Sequence, residues 1–154
     1  MHSRIFQISK EPIEKRNYIT ESDYYDHWFL DRIADYIDDD CDRDASIGWL
    51  CDCAKGYEIN KDNAGGYCFI VHSKEEYFKD KYYVFMSELK KIGMPTIDQF
   101  ANGIDLWRFQ DAYNDQFGFY IQTNSDDLMT FDEFVRHCNE NDCWYIGGVL
   151  DYHF

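Results

Sequence analysis

The chain has 154 residues, 30 acidic against 15 basic side chains, a net charge of −15, and 19% aromatic residues. That length suits one domain with a real hydrophobic core, and the charge excludes direct binding to nucleic-acid phosphates or to acidic membrane surfaces. No run of 18 apolar residues is available to span a bilayer, and the opening MHSRIFQISKEP lacks the apolar centre of a signal peptide. The six cysteines are accordingly expected as reduced thiols in a cytoplasmic protein.

Taken in order, Ser3–Ile8 reads as a first strand that Pro12 stops. Ser22 is a candidate N-cap for a helix running to about Asp38, with Tyr25, Trp28, Phe29, Arg32, Ile33, Tyr36 and Ile37 on its core side. The run Asp38–Asp44 follows as a loop, because that much like charge at a helix C-terminus opposes further helix. Ala45–Cys53 alternates Ile47, Trp49, Cys51 and Cys53 on one side, which predicts a strand. Tyr57–Ile59 pairs back, and Gly65-Gly66 turns into a buried strand over Tyr67–His72.

Ser73 then changes the period. Its hydroxyl can accept from the Glu76 N–H and the Glu76 carboxylate can reach back, a capping box opening a helix of about five turns. Tyr77, Phe78, Val84, Phe85, Leu89 and Ile92 give that helix an apolar face. Lys90 and Lys91 suit its last turn, Gly93 its C′ position, and Pro95 blocks continuation. Thr96 caps a short helix through Phe100, Leu106–Tyr113 fits helix or strand, and Phe117–Gln122 reads as strand. Thr130 and Glu133 form a second capping box for a helix ending near Asn141. Cys143–Tyr152 closes the chain as a strand with a bulge or kink at Gly147-Gly148. The order predicts one α+β domain over residues 1–154, with a mixed or mostly antiparallel sheet and about three main helices.

The charge is unevenly placed. Residues 21–44 sum to −8, while residues 74–97 sum to +1. Within the acidic segment Asp23, Asp26, Asp31, Asp35, Asp38, Asp39, Asp40, Asp42 and Asp44 are the candidate partner-binding residues. A basic protein surface, such as that of a nucleic-acid-binding protein, is the partner that such a face attracts. Carboxylates at helix spacing roughly match the separation of phosphates along a strand. In physical type the chain therefore resembles the small acidic inhibitors of restriction and CRISPR nucleases, although it shares no motif with them.

Other chemistries have weaker support. An EF-hand loop begun at Asp38 places Asp40 and Asp42 at ligand positions, but Arg43 replaces the required Gly and Trp49 the final Glu. A second partial loop, TNSDDLMTFDEF, offers Asn124, Asp126 and Glu133 but has Gln122 first and Asp127 at the Gly position. Cys41, Cys51, Cys53, His137, Cys138 and Cys143 supply enough ligands for an alternative reading as a metal-binding or enzymatic domain. Their C-x-C and H-C-x4-C spacings are not those of common structural zinc sites, and free thiols acting as small hydrophobes are the expectation. No nucleophile elbow and no glycine-rich phosphate loop is present, so no catalytic residue, metal ligand or cofactor is assigned.

Overall fold

A computed structural model describes residues 1–123 and 127–154. The chain is α+β, built on one mostly antiparallel sheet in the order β3-β4-β7-β1-β5-β6, with β2 also paired to β7. The strands are β1 (His2–Ser9), β2 (Tyr36–Asp38), β3 (Tyr57–Lys61), β4 (Tyr67–Val71), β5 (Tyr120–Gln122), β6 (Leu128–Thr130) and β7 (Cys143–His153). Among the described residues only β1 and β5 run parallel. Among the described residues the α-helices are α1 (Trp28–Arg32), α2 (Arg43–Asp52), α3 (Lys74–Ile92), α4 (Ile97–Asn102), α5 (Trp107–Tyr113) and α6 (Phe131–His137). That is more, and shorter, helix than the three main helices expected.

The longest strand, β7, is the hub. One edge pairs with β1 from His2↔His153 to Ser9↔Tyr145. The other edge is shared by β4, over Cys143–Ile146, and by β2, over Asp151–His153. Between Phe6 and Ile8 the register shifts, so that Gly147 and Gly148 together face Gln7. This is the bulge the glycine pair predicts, and Gln7 stabilises it. Its Oε1 accepts from Gly148 N (2.9 Å) and Ile19 N (3.2 Å), while its Nε2 donates to Asn17 O (3.0 Å). A Cβ on Gly147 would lie 2.6 Å from Gln7 Oε1 and 2.7 Å from Ile13 Cδ1, which explains glycine there.

Both faces of the sheet are covered, so β1 is buried on both sides. Phe6 and Ile8 point into a larger core with Ile47 and Leu50 of α2 and with Phe131, Phe134 and Val135 of α6. Ile5 points the other way, into a smaller core with Tyr24, Phe29, Ile37, Tyr120, Leu150 and Tyr152. There the Phe29 ring meets Tyr120 and Tyr152 edge-on, with centroids 4.7 and 5.0 Å apart, a favourable aromatic geometry.

Several expectations are corrected. The helix expected from Ser22 to Asp38 is three pieces: a 3-10 turn at Glu21–Tyr24, then α1, then β2. Asp23 accepts from the Thr20 backbone N–H (2.8 Å), so the cap sits at Thr20 rather than Ser22, and His27 starts α1 by accepting from Phe29 N. Asp35 N donates to His153 O (2.8 Å), drawing the chain out of helix and onto the sheet. As a result Tyr25, Trp28 and Tyr36 face solvent, and Tyr24, Phe29 and Ile37 provide the core contacts.

Ala45–Cys53 is not a strand but lies in α2 and its C-cap. Asp42 caps that helix by accepting from Ala45 N (3.0 Å), and Ile47 and Leu50 are buried at a spacing of three. The acidic run thus precedes a helix N-terminus, where the helix dipole favours carboxylates.

Ser73 does accept from Glu76 N (3.2 Å), but its own N–H donates to Gly56 O, so the expected return bond from Glu76 is not needed. Thr130 likewise caps α6 by accepting from Glu133 N, and that helix stops at His137 rather than near Asn141. Two cysteines expected as thiols, Cys68 and Cys143, form a disulfide between neighbouring strands β4 and β7. A sequence separation of 75 residues hid that proximity.

Replacing Gln7 by Ala leaves three backbone groups without this side-chain partner. The expected loss is about 1–3 kcal/mol of folding stability, measured by urea denaturation.

Candidate functional site

The acidic segment wraps one end of the sheet. Its first half covers the smaller core, β2 extends the sheet alongside β7, and α2 covers the opposite face. Buried anchors hold it there, and the acids line its outer side. Asp23, Asp26, Asp31, Asp35, Asp39, Asp40, Asp42 and Asp44 are exposed, and Asp38 is half-buried.

These acids differ in their local duties. Asp23 accepts from the backbone of the Thr20 cap, Asp42 is itself a cap, Asp35 pairs with His153 Nδ1 (3.1 Å), and Asp38 Oδ1 accepts from Asp40 N (2.8 Å). Arg43 is largely withdrawn from the charge balance of the surface. Its guanidinium donates to Gly147 O (2.7 Å) and Ile146 O (2.8 Å) and lies over the rings of Tyr18 and Tyr67. It reaches Asp44 only at 3.4 Å.

Glu21 joins the acids that the aspartate pattern singles out. Carboxylate oxygens of Glu21, Asp38 and Asp39 lie within 4.8 Å of one another, the one group of three potential metal ligands among the described residues. The sequence signal for Glu21 is its place inside the −8 segment, at the end that precedes the aspartates. Tyr25, 65% exposed, donates its hydroxyl to Glu21 (3.0 Å). That hydrogen bond, together with the charges of Glu21 and Asp39, pushes the Tyr25 phenol above its ordinary range. With Trp28 and Tyr36 it places exposed rings among the carboxylates.

The EF-hand geometry is absent around Asp38. Asp38 ends β2 and Asp42 caps α2, so the residues at the supposed ligand positions serve two different elements. In the second loop, Asn124 and Asp126 lie outside the described residues, and Glu133 sits in the first turn of α6.

The Cys/His set does not converge. Cys68 is bonded to Cys143, Cys51 and Cys53 are exposed at the end of α2, and Cys138 is buried while His137 points outward. The thiols of Cys41, Cys51, Cys53 and Cys138 are all pushed up, chiefly by burial. Thiols activated as nucleophiles are shifted in the opposite direction.

A second polar cluster lies between α3, α6 and the turn after α5, at the wall of a cavity of about 270 Å³. Asp132 is 2% exposed and accepts from Tyr77 Oη (2.8 Å), Lys81 Nζ (2.7 Å) and Asp115 N (2.9 Å). Both its oxygens are therefore occupied, and the cluster fastens α3 to the body of the protein. Burial pushes the Asp115 carboxyl up, opposed by the Phe117 N–H that it accepts and by the charge of Lys81.

No protein-family profile, no curated protein and no solved structure matches this chain. The functional reading therefore rests on the geometry above.

Asp132→Ala removes the common acceptor of three donors and strands Lys81, with an expected cost of about 3–5 kcal/mol in urea denaturation. Asp115 binds its proton more tightly folded than unfolded. Its contribution to stability is full below the unfolded carboxylate range and is lost as pH rises through the raised folded value. Thermal melts from acid to neutral pH should show wild type losing stability relative to Asp115→Asn.

Proposed function

We propose that the protein is a small acidic protein-interaction module that binds a basic protein surface through residues 21–44. The supporting observation is the surface itself: exposed carboxylates of Asp26, Asp31, Asp39, Asp40 and Asp44 share one continuous segment with the exposed rings of Tyr25, Trp28 and Tyr36. Carboxylates supply long-range attraction and orientation toward Lys and Arg. Exposed rings add the flat apolar contact, and the cation–π partners for Arg, that anchor an interface. The segment is held to the sheet by its own buried Tyr24, Phe29 and Ile37, and the helix that follows it by Ile47 and Leu50, so little ordering remains to be done on binding.

The partner class that fits best is a cytoplasmic nucleic-acid-binding protein, whose basic channel is already built to receive closely spaced negative charge. In this reading the acidic segment occupies that channel in place of nucleic acid, and the protein acts as an inhibitor without catalysing a reaction.

The test is capture from a cell lysate on the immobilised protein. A nucleic-acid-binding protein should be retained, released by salt and displaced by duplex DNA. Reversing Asp26, Asp31, Asp39 and Asp44 to Lys avoids the helix caps and the His153 pair. It should cut capture about tenfold or more while leaving the circular dichroism melt unchanged. Equal capture by the reversed protein would overturn the proposal.

A further inference from the structure

The arm formed by α3, α4 and α5 has a surface unlike the rest of the molecule. α3 has 19 residues and extends about 28 Å. Its first turns are fastened by Tyr77, Phe78 and Lys81, and its later turns pack mainly on α5, where Phe85 stacks on Phe109 with centroids 4.3 Å apart. No residue of α3 or α4 is fully buried. Met94 is 97% exposed, Ile97 81% and Phe100 71%. Tyr82, Tyr83, Trp107 and Tyr113 are each more than half exposed. The apolar face predicted for α3 therefore meets the protein along one flank only.

We infer that this arm is a self-association surface, on which α3 packs antiparallel against α3 of a second copy about a twofold axis. Two observations select a second copy as the occupant. The first is charge. Residues 74–113 carry a net −1, leaving −14 on the remainder, so two copies meet with least repulsion through the arm. A basic partner would find little there to attract it.

Charge also sets the register. On α3 Glu75, Lys79, Tyr82, Met86, Leu89 and Lys90 share one side of the helix by their spacing. Glu75 and Lys90 are equally distant from the midpoint between Tyr82 and Tyr83. A twofold axis at that midpoint sets Glu75 of each copy against Lys90 of the other, which is the self-complementarity an isologous contact requires. It also brings Met86 of the second copy over the groove beside Phe78, Lys79, Tyr82 and Tyr83, whose volume is about 520 Å³.

The second observation is area. An aromatic side chain spans about 150–250 Å², so the five exposed rings of the arm alone present roughly 600 Å². Met94, Ile97 and Leu89 add to this, which brings the arm to the roughly 800 Å² per partner of a stable interface.

The inference is independent of the acidic face, and salt separates the two. Screening weakens attraction between the acidic segment and a basic partner, but it tightens association of two copies that each carry −15. Sedimentation of the full chain at about 100 µM should give twice 18.5 kDa, a concentration that covers the micromolar affinities common for interfaces of this size. Tyr82→Asp should give 18.5 kDa with an unchanged circular dichroism spectrum. Glu75→Lys and Lys90→Glu should each weaken the dimer about five- to tenfold, and the double exchange should restore it. A monomeric wild type would overturn the inference, whether it stays free or floats with phosphatidylcholine vesicles. A dimer that survives Tyr82→Asp, or a double exchange no tighter than the single ones, would overturn it equally.

Discussion

Strand β7 is paired along both edges, and nearly every other part of the molecule is placed by it. β1 occupies one edge, while β4 and β2 divide the other. An antiparallel strand of eleven residues would twist progressively against so many partners. The double-glycine bulge takes up that mismatch. It places two residues opposite Gln7, and the freed backbone groups become attachment points for Gln7 and Arg43. Arg43 begins α2 and Gln7 holds Ile19, so one irregularity in one strand fixes both ends of the acidic segment.

Two cores on opposite faces then explain how so much negative charge is accommodated. The segment spends Tyr24, Phe29 and Ile37 on the smaller core, and Ile47 and Leu50 of the helix that follows it pack into the larger one. The acids need no burial and stay in water. Several also lower local energy, as Asp23 and Asp42 do at helix starts. Asp132, the one deeply buried carboxylate among the described residues, is treated differently: it has a cation, a hydroxyl and an amide N–H for its two oxygens. Exposed charge therefore accumulates where it costs little, and buried charge is fully partnered.

Much of this was legible in the sequence where local rules act alone. The Ser73, Thr96 and Thr130 caps, the strand over Tyr67–Val71 and the Gly147-Gly148 bulge each follow from a few neighbouring residues. The errors fell where a distant partner decides. Asp35 leaves helix because β7 offers it a carbonyl, and no neighbour of Asp35 announces that. In Ala45–Cys53 the alternating apolar residues outweighed the Asp42 cap, although α2 buries Ile47 and Leu50 and exposes Cys51 and Cys53. The acidic surface was visible as composition, but Glu21 and the exposure of Tyr25, Trp28 and Tyr36 depend on how the chain turns after Thr20. The Lys81–Asp132 contact joins α3 to α6 across some fifty residues and left no local mark.

The pairing of β1 with β7 also governs the order in which the molecule can form. His2 lies opposite His153, so the two strands at the centre of the sheet come from opposite ends of the sequence. Closing so long a loop is entropically slow, and topologies dominated by such distant contacts fold slowly. During synthesis β1 has no antiparallel neighbour until residues 143–153 have left the ribosome. Ile5, Phe6 and Ile8, which end up buried, stay uncovered by β7 until then. Through that interval β1 is an unpaired apolar strand of the kind that makes partly folded chains prone to aggregate.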